Sequence, residues 1–209
     1  MITYYILGFT VIFSLIGFRD KAFFAKYMFN PNRINSNKKE WYTIFTHAFL
    51  HVDYMHLFQN MLVLFFFGLP LEQEIFPFYF PAHARYFYLV LYFGGIVVSS
   101  VPAYEKHKHN PMYSAVGASG AIFAVLFSYI LINPTAMLQI MFLPIPIPAF
   151  VLGILYLGYE WYMSKRGRTN IGHDAHLWGG IFGLVFTTSL HYQFAPGFYN
   201  QIVTLLHHE

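Results

Sequence analysis

Gly117-Ala118-Ser119-Gly120 stands near the start of an apolar run, residues 115–132, that is long enough to cross a lipid bilayer. Glycines allow a second backbone to approach closely, and small-residue patches in membrane helices most often form packing seams. A serine between glycines is also a candidate nucleophile when a base lies beside it. The polar residues elsewhere in the chain decide between these two interpretations.

The composition indicates that this apolar run belongs to a membrane protein. Of the 209 residues, 57% are hydrophobic and only 10% are charged, and the mean hydropathy is +0.47. Soluble domains usually carry about 25% charged residues, so an integral, multi-pass membrane protein is predicted. The net charge of +3 is small and dispersed, and no nucleic-acid partner is expected. The chain has no cysteine, which excludes disulfides and thiolate metal sites.

Hydropathy and turn residues predict six transmembrane helices in a single domain, residues 1–209. Their approximate bounds are 2–18, 51–71, 86–101, 115–132, 149–163 and 175–192. The predicted fold is therefore all-α, a polytopic membrane bundle whose first helix is an uncleaved anchor. The connector 19–40 contains aromatic residues among its charges and is expected to lie partly in the membrane interface.

Charged residues and prolines suggest where several of these helices begin and end. Glu72, Glu74 and Glu160 are interpreted as marking membrane exits, and Asp174 as the N-cap of the last helix. Ser99-Ser100 and Pro102 are expected to close the third helix. The proline-rich segment 144–148 is not compatible with a continuous helix and predicts an interfacial turn.

The last predicted helix carries a histidine in line with two glycines. His176, Gly179 and Gly183 share one helix face, because they are three and seven residues apart. Docking this face on the glycines beside Ser119 would bring the imidazole opposite the hydroxyl, where it can take the serine proton. The alternative is a histidine whose ring extends to the lipid headgroups at the membrane interface and has no catalytic role. Asp174 is two residues from His176 and points away from it, so a dyad is predicted rather than a triad.

The second predicted helix offers two polar side chains on one face. His56 and Asn60 are four residues apart, and both can donate hydrogen bonds to an oxyanion, with the backbone N–H of Ser119 as a third donor. Interhelical hydrogen bonding is the alternative for both. His51 lies off this face and is expected to be a structural group. Phe123, one turn after the serine, is expected to form a wall against the histidine ring.

Three motifs, found in this order, resemble those of the rhomboid family of intramembrane serine proteases. They are His-x-x-x-x-His-x-x-x-Asn (His51, His56, Asn60), Gly-x-Ser-Gly (Gly117, Ser119, Gly120) and Ala-His-x-x-Gly-x-x-x-Gly (Ala175, His176, Gly179, Gly183). Each motif alone is weak, but the three together in a six-helix chain are specific. The resemblance extends over about residues 41–186.

The resemblance implies an endopeptidase that cleaves transmembrane segments of other membrane proteins without metal or cofactor. Ser119 would be the nucleophile, His176 the base, and His56, Asn60 and the Ser119 backbone the oxyanion hole. The glutamate at Glu72 would be structural. The fifth helix, with Trp161 near its end, would border the lateral access for substrates.

This chain departs from the family pattern at three places. Trp41 is followed by Tyr42 instead of the frequent arginine, and Phe123 stands where tyrosine is frequent. Neither change is expected to abolish activity. The third departure is the orientation: the family places the active-site opening on the outer face, whereas the basic residues predict the reverse. Following the family, we expect a bacterial inner-membrane protein that opens to the outer face.

Two other classes of function remain open from the sequence. A catalytically inactive rhomboid-like protein would bind membrane helices without cleaving them, although such proteins generally lack the serine or the histidine. A membrane metalloprotein would use His47 and His51 with His173 or His176, but no carboxylate stands at ligand spacing near them.

Overall fold

The computed structural model describes residues 1–140, 143–166 and 172–207, and within these ranges the protein is mostly helical. Three helices are long and apolar enough to cross a membrane, namely α1 (Ile2–Arg19), α2 (Tyr54–Tyr79) and α3 (Ala84–His107). They are followed by α4 (Ser119–Ile132), β1 (Met137–Ile140), β2 (Leu143–Pro148), α5 (Ala149–Arg166), α6 (His173–Leu190) and α7 (Phe194–His207). The expectation of a helical membrane protein is thus confirmed, while the count of six spans stays a prediction.

The polar residues of α5 and α6 separate them from the three clearly apolar helices. Each has 18 residues, but α5 contains Glu160 and ends in Lys165 and Arg166. The first turn of α6 contains His173 and Asp174. Ionisable groups at membrane depth are expensive and usually face a protein interior or a water-filled cavity. These helices are therefore polar where they meet, which is where a site would be expected.

The end of the second helix was predicted wrongly. Instead of stopping at residue 71, α2 continues to Tyr79 through two π-helical turns, Leu64–Gly68 and Leu71–Ile75. Glu72 is buried rather than at an exit, and its carboxylate accepts hydrogen bonds from the backbone N–H groups of Ile2 and Thr3 and from the Thr3 hydroxyl. A carboxylate at a helix N-terminus is favourable, so Glu72 fastens the start of α1 to α2.

Three other predicted boundaries also differ from the structure. α3 does not close at residue 101 but runs through Pro102 to His107. α4 begins at Ser119 and not at residue 115, since Ala115 is extended and pairs with Phe29 in an isolated antiparallel bridge. Asp174 is not an N-cap, because α6 starts at His173 after Gly172.

Helix α4 lies at the centre of the bundle. It is apolar on every side, and eleven of its 14 residues are buried, as expected for a helix surrounded by protein. We call Gly120, Gly179 and Gly183 the glycine seam between α4 and α6. A Cβ at Gly179 would overlap the backbone of Gly120, and one at Gly183 would overlap the backbone of Ala124. The two helices are therefore in backbone contact, which fixes the depth of their side chains.

The connector between α1 and α2 folds into short helices, Lys21–Tyr27, Pro31–Ser36 and Thr43–Thr46. β1 and β2 pair as antiparallel strands, and β2 contains the segment 144–148 where an interfacial turn was predicted. Helix α7 was not predicted. The predicted polar loop after α5 lies partly outside the described residues, and Arg168 is among those outside.

The outer helices present large apolar side chains to their surroundings. Tyr5, Phe9, Phe66, Ile154 and Val185 are all more than half exposed, with Phe9 at 51% and Tyr5 at 78%. So much exposed apolar surface is unfavourable in water and suits lipid tails. The core beneath it joins α1, α2, α3 and α4 into one cluster.

Candidate active site

Ser119 is the first residue of α4, and the turn before it requires glycine. Gly117 has φ of 123°, in the left-handed region that side chains avoid, and a Cβ there would meet His56 at 2.8 Å. The Gly117 N–H donates to the carbonyl oxygen of His47 at 2.9 Å. At the first helical position the N–H of Ser119 has no acceptor within the helix, so it can serve an anionic ligand.

The side chains of Ser119 and His176 lie within hydrogen-bond distance. His176 Nε2 is 2.8 Å from Ser119 Oγ. The imidazole stacks on the ring of Phe123, with centroids 4.5 Å apart and planes 6° apart. The glycine seam, by bringing α4 and α6 into contact, lets these side chains meet. Such a pair can pass a proton from the hydroxyl to the ring.

His56 and Asn60 lie on one face of α2, near the turn that carries Gly117. The start of α2 is fixed by Asp53, whose carboxylate accepts the His56 backbone N–H at 2.7 Å. Asn60 is 6% exposed. Among the described residues, neither Asn60 Nδ2 nor His56 Nδ1 has a hydrogen-bond partner. Buried polar atoms are normally paired, so these two groups have hydrogen-bonding capacity that the described residues do not use.

The Nδ1 atoms of His47 and His51 are hydrogen-bonded within the protein. The Ser14 hydroxyl donates to the carbonyl oxygen of Phe49 and accepts the Nδ1–H of the fully buried His51 at 3.0 Å. His47 lies in the connector, where its Nδ1–H donates to the Thr43 carbonyl at 3.0 Å. Burial lowers the pKa of His47 to about 4, so it is neutral at pH 7. The structural role expected for His51 stays a prediction.

A cavity of about 940 Å³ reaches the candidate site from the connector end of the bundle. His56, Gly117, Ser119 and His176 contribute to its wall. The remainder comes from the connector, from the ends of α3 and α5, from the segment before α4 and from the starts of α2 and α6. Non-helical backbone and polar groups at membrane depth are tolerated where they line such a space, and a space of this size can hold water and a short peptide segment.

Sequence reasoning missed Glu160, which it took for a membrane exit. The residue is 4% exposed and lies between two imidazoles of α6. Glu160 Oε2 is 2.5 Å from His173 Nδ1, and Oε1 is 3.0 Å from His176 Nδ1. The available signal was the spacing of the two histidines, which are three residues apart and so share a face. Asp174 is turned from this group and pairs with Lys106 at 3.4 Å.

Glu160, His173 and His176 are also the one group of possible metal ligands in the described ranges, with ligand atoms within 4.8 Å of one another. Each Nδ1 is already satisfied by the carboxylate, and a metal would have to displace both protons. The metal site considered from the sequence, built on His47 and His51 with His173 or His176, does not form a group of three possible ligands among the described residues.

Comparison with known proteins gives the family of the chain. A family model for the rhomboid domain matches residues 38–193. The protein "RHOMBOID-like protein 12, mitochondrial" of Arabidopsis thaliana is 29% identical over 198 residues, covering 86% of this chain and 56% of the plant protein. "RHOMBOID-like protein 1" of the same plant is 38% identical over 90 residues, covering 43% of this chain and 20% of the relative.

The chain thus spans about half the length of the first of these relatives and a fifth of the second. The region matched by the family model runs from the connector to the end of α6 and contains Ser119, His176, His56 and Asn60. This confirms the resemblance found in the three motifs, and the integral membrane protein described here belongs to the rhomboid family.

Proposed function

We propose that this protein is an intramembrane serine endopeptidase that cleaves transmembrane segments of other membrane proteins. The observation that carries the proposal is the 2.8 Å contact between Ser119 Oγ and His176 Nε2 at the wall of a cavity. A serine hydroxyl alone is a weak nucleophile, and an adjacent base activates it. Family membership supports the same reaction class.

In the proposed reaction, Ser119 Oγ attacks the scissile carbonyl carbon while its proton passes to His176 Nε2. The C–N bond then breaks, the leaving nitrogen takes that proton, and the acyl group stays on Ser119 as an ester. A water molecule attacks the ester as His176 accepts one of its protons. The ester C–O bond breaks, the acid leaves, and the proton returns to Ser119.

The oxyanion of each tetrahedral intermediate would be held by His56, by Asn60 and by the backbone N–H of Ser119. The first two are supported by His56 Nδ1 and Asn60 Nδ2, which have no hydrogen-bond partner among the described residues, and the third by its position at a helix N-terminus. Preorganised donors of this kind supply a large share of catalysis in acyl transfer. Phe123 would hold the plane of the imidazole by stacking.

Water and substrate would reach Ser119 by different routes. Water would come through the cavity at the connector end, and a substrate helix would approach from the lipid, past α5, and unwind locally. Under this proposal the protein lies in a bacterial inner membrane and opens to the outer face, as the family resemblance implies. No metal or cofactor takes part.

The proposal predicts that Ser119→Ala abolishes cleavage, because no nucleophile remains. The purified protein is reconstituted in liposomes with a peptide containing one transmembrane helix, and products are measured by mass spectrometry. A fluorophosphonate probe should label the wild type at Ser119 and leave the variant unlabelled.

Ser189→Ala is the matched control, since that hydroxyl lies at the far end of α6 and donates to the Phe186 carbonyl. It should cleave and be labelled like the wild type. Cleavage by Ser119→Ala at the wild-type rate would refute the proposal. A wild type that binds the peptide but is neither labelled nor active would point to the inactive, helix-binding alternative.

A further inference from the structure

Glu160 is a buried carboxylate that the proposed two-residue mechanism leaves without a role. It belongs to α5, and both of its partners, His173 and His176, belong to the first turn of α6. A buried carboxylate without partners is strongly destabilising, so its two short contacts explain how it is tolerated. They do not explain why an ionisable group is buried at this position of α5.

The geometry around His176 gives the reason. The carboxylate lies at Nδ1 of the ring, at 3.0 Å, and the Ser119 hydroxyl lies at Nε2, at 2.8 Å. A carboxylate oxygen can only accept here, so the ring proton is held on Nδ1. Nε2 then carries the lone pair that must receive the serine proton.

The same contact restricts the orientation of the ring. Stacking on Phe123 fixes the plane of the imidazole but permits rotation within that plane. The hydrogen bond to Glu160 removes this freedom. It also places a negative charge beside the ring when the ring becomes positive on taking the serine proton, which stabilises that state.

His173 holds the carboxylate in place from the other side. It is 4% exposed, and its Nδ1 contacts Glu160 Oε2, so both carboxylate oxygens are directed by α6. Its ring has no contact with Ser119 among the hydrogen bonds of the described residues. Glu160 Oε1 therefore contacts His176, the ring that contacts the Ser119 hydroxyl, and Oε2 contacts His173, which does not.

We propose that Glu160 is a positioning residue that completes a Ser119–His176–Glu160 triad, extending the two-residue mechanism under Proposed function, on which this inference rests. Its carboxylate sets the tautomer of His176 and stabilises the imidazolium. His173 orients the carboxylate. Asp174, the acidic residue closer to His176 in sequence, has no part in the triad.

The test compares Glu160→Gln with Asp174→Asn, which makes the same carboxylate-to-amide change at the exposed ion pair with Lys106. We measure kcat and KM for cleavage of the transmembrane peptide, the rate of fluorophosphonate labelling of Ser119, and the melting temperature. Loss of the third triad member in other serine proteases lowers kcat on the order of 10⁴-fold. Glu160→Gln should lower kcat at least about 100-fold with KM within about threefold, and labelling should slow in parallel.

Asp174→Asn should match the wild type, and Glu160→Asp, which keeps the charge, should be faster than Glu160→Gln in cleavage and in labelling. Wild-type kcat in Glu160→Gln would overturn the inference, as would slow cleavage with unchanged labelling, since that pattern means only that substrate access is altered. If Glu160→Gln does not fold, Glu160→Asp is the test variant. Its shorter side chain lengthens the contact between the carboxylate and His176 Nδ1, so labelling of Ser119 should slow. Labelling at the wild-type rate would overturn the inference. A wild type without activity or labelling would instead refute the protease proposal itself.

Discussion

Asn60 is the proposed oxyanion donor whose removal is simplest to interpret, because no hydrogen bond to another described residue is lost with it. Asn60→Ala should lower kcat on the order of 10²–10³-fold while leaving labelled, folded protein, since two donors would remain. The measurement is peptide cleavage in liposomes, with the fraction of folded protein determined beside it. The residual activity should stay above that of Ser119→Ala.

Gln73→Ala is the matched control for this prediction. It removes a side-chain amide at an exposed position of α2 that does not line the cavity. Its kcat should stay within about threefold of the wild type. An equal loss of kcat in both variants would show that any substitution in α2 impairs the protein. Wild-type kcat in Asn60→Ala would show that Asn60 is not part of the oxyanion hole.

At the scale of single residues, sequence reasoning could pair Ser119 with His176 because both stand in glycine motifs at fixed spacing. It could not identify Glu160. A single carboxylate followed by Lys165 and Arg166 resembles the polar end of a helix, and its burial depends on how α5 packs on α6. Asp174 shows the reverse error: an acidic residue in the first helical turn resembles a cap, yet α6 begins one residue earlier.

The contact of α4 with α6 depends on the glycine seam, which gives a prediction about stability. Gly183→Ala places a methyl group against the Ala124 backbone and forces the two helices apart. Overpacking of this kind usually destabilises by about 1–3 kcal/mol. The melting temperature should fall, and Ser119 labelling should slow because the hydroxyl and the imidazole separate.

Gly158→Ala provides the comparison, because a Cβ at this position of α5 would meet nothing within 4 Å. Alanine is the better helix former by about 1 kcal/mol, so this variant should melt at or above the wild-type temperature. The measurement is the melting temperature of Gly183→Ala, Gly158→Ala and the wild type in the same detergent. A seam variant as stable as the wild type would mean that α4 and α6 are not held by close backbone contact.

At the scale of elements, the existence of the helices was easier to predict than their ends. The apolar content of residues 51–71 indicated α2, but its continuation to Tyr79 depends on the pairing of Glu72 with the start of α1. Residues 115–118 are apolar and were assigned to α4. They precede the helix because Ala115 pairs with Phe29 and Gly117 has a positive φ, and the first of these depends on a distant segment.

The charge distribution of the whole molecule conflicts with the orientation taken from the family. Contacts such as Lys38 with Tyr104, Lys106 with Asp174, and Asn32 with the Lys108 carbonyl join the connector, the end of α3 and the start of α6 at one end. The basic residues at this end, which is also the end where the cavity opens, are Arg19, Lys21, Lys26, Arg33, Lys38, Lys39, Lys106, Lys108, Lys165 and Arg166. Arg85 lies at the start of α3, at the other end.

Several of these basic groups contact acidic or aromatic side chains of the protein. Arg33 and Glu40 form an ion pair, as do Lys108 and Glu105 at 2.6 Å. Lys165 lies over the ring of Trp161 at 4.0 Å, and Lys26 lies over that of Tyr27 at 5.3 Å. Aromatic and basic side chains together are typical of the membrane interface, which is consistent with the cavity end facing outward.

The chain has no cysteine, so the orientation can be measured with single substitutions in the intact protein. His109→Cys places a thiol in the exposed loop at the cavity end, and Ala82→Cys places one at the exposed turn before α3. With the protein expressed in a bacterial host, a membrane-impermeant maleimide should label His109→Cys in intact cells and Ala82→Cys only after permeabilisation. The reverse pattern would overturn the outward orientation and show that the basic residues govern insertion. It would leave the contact between Ser119 and His176 unaffected, because neither thiol is near the two side chains that react.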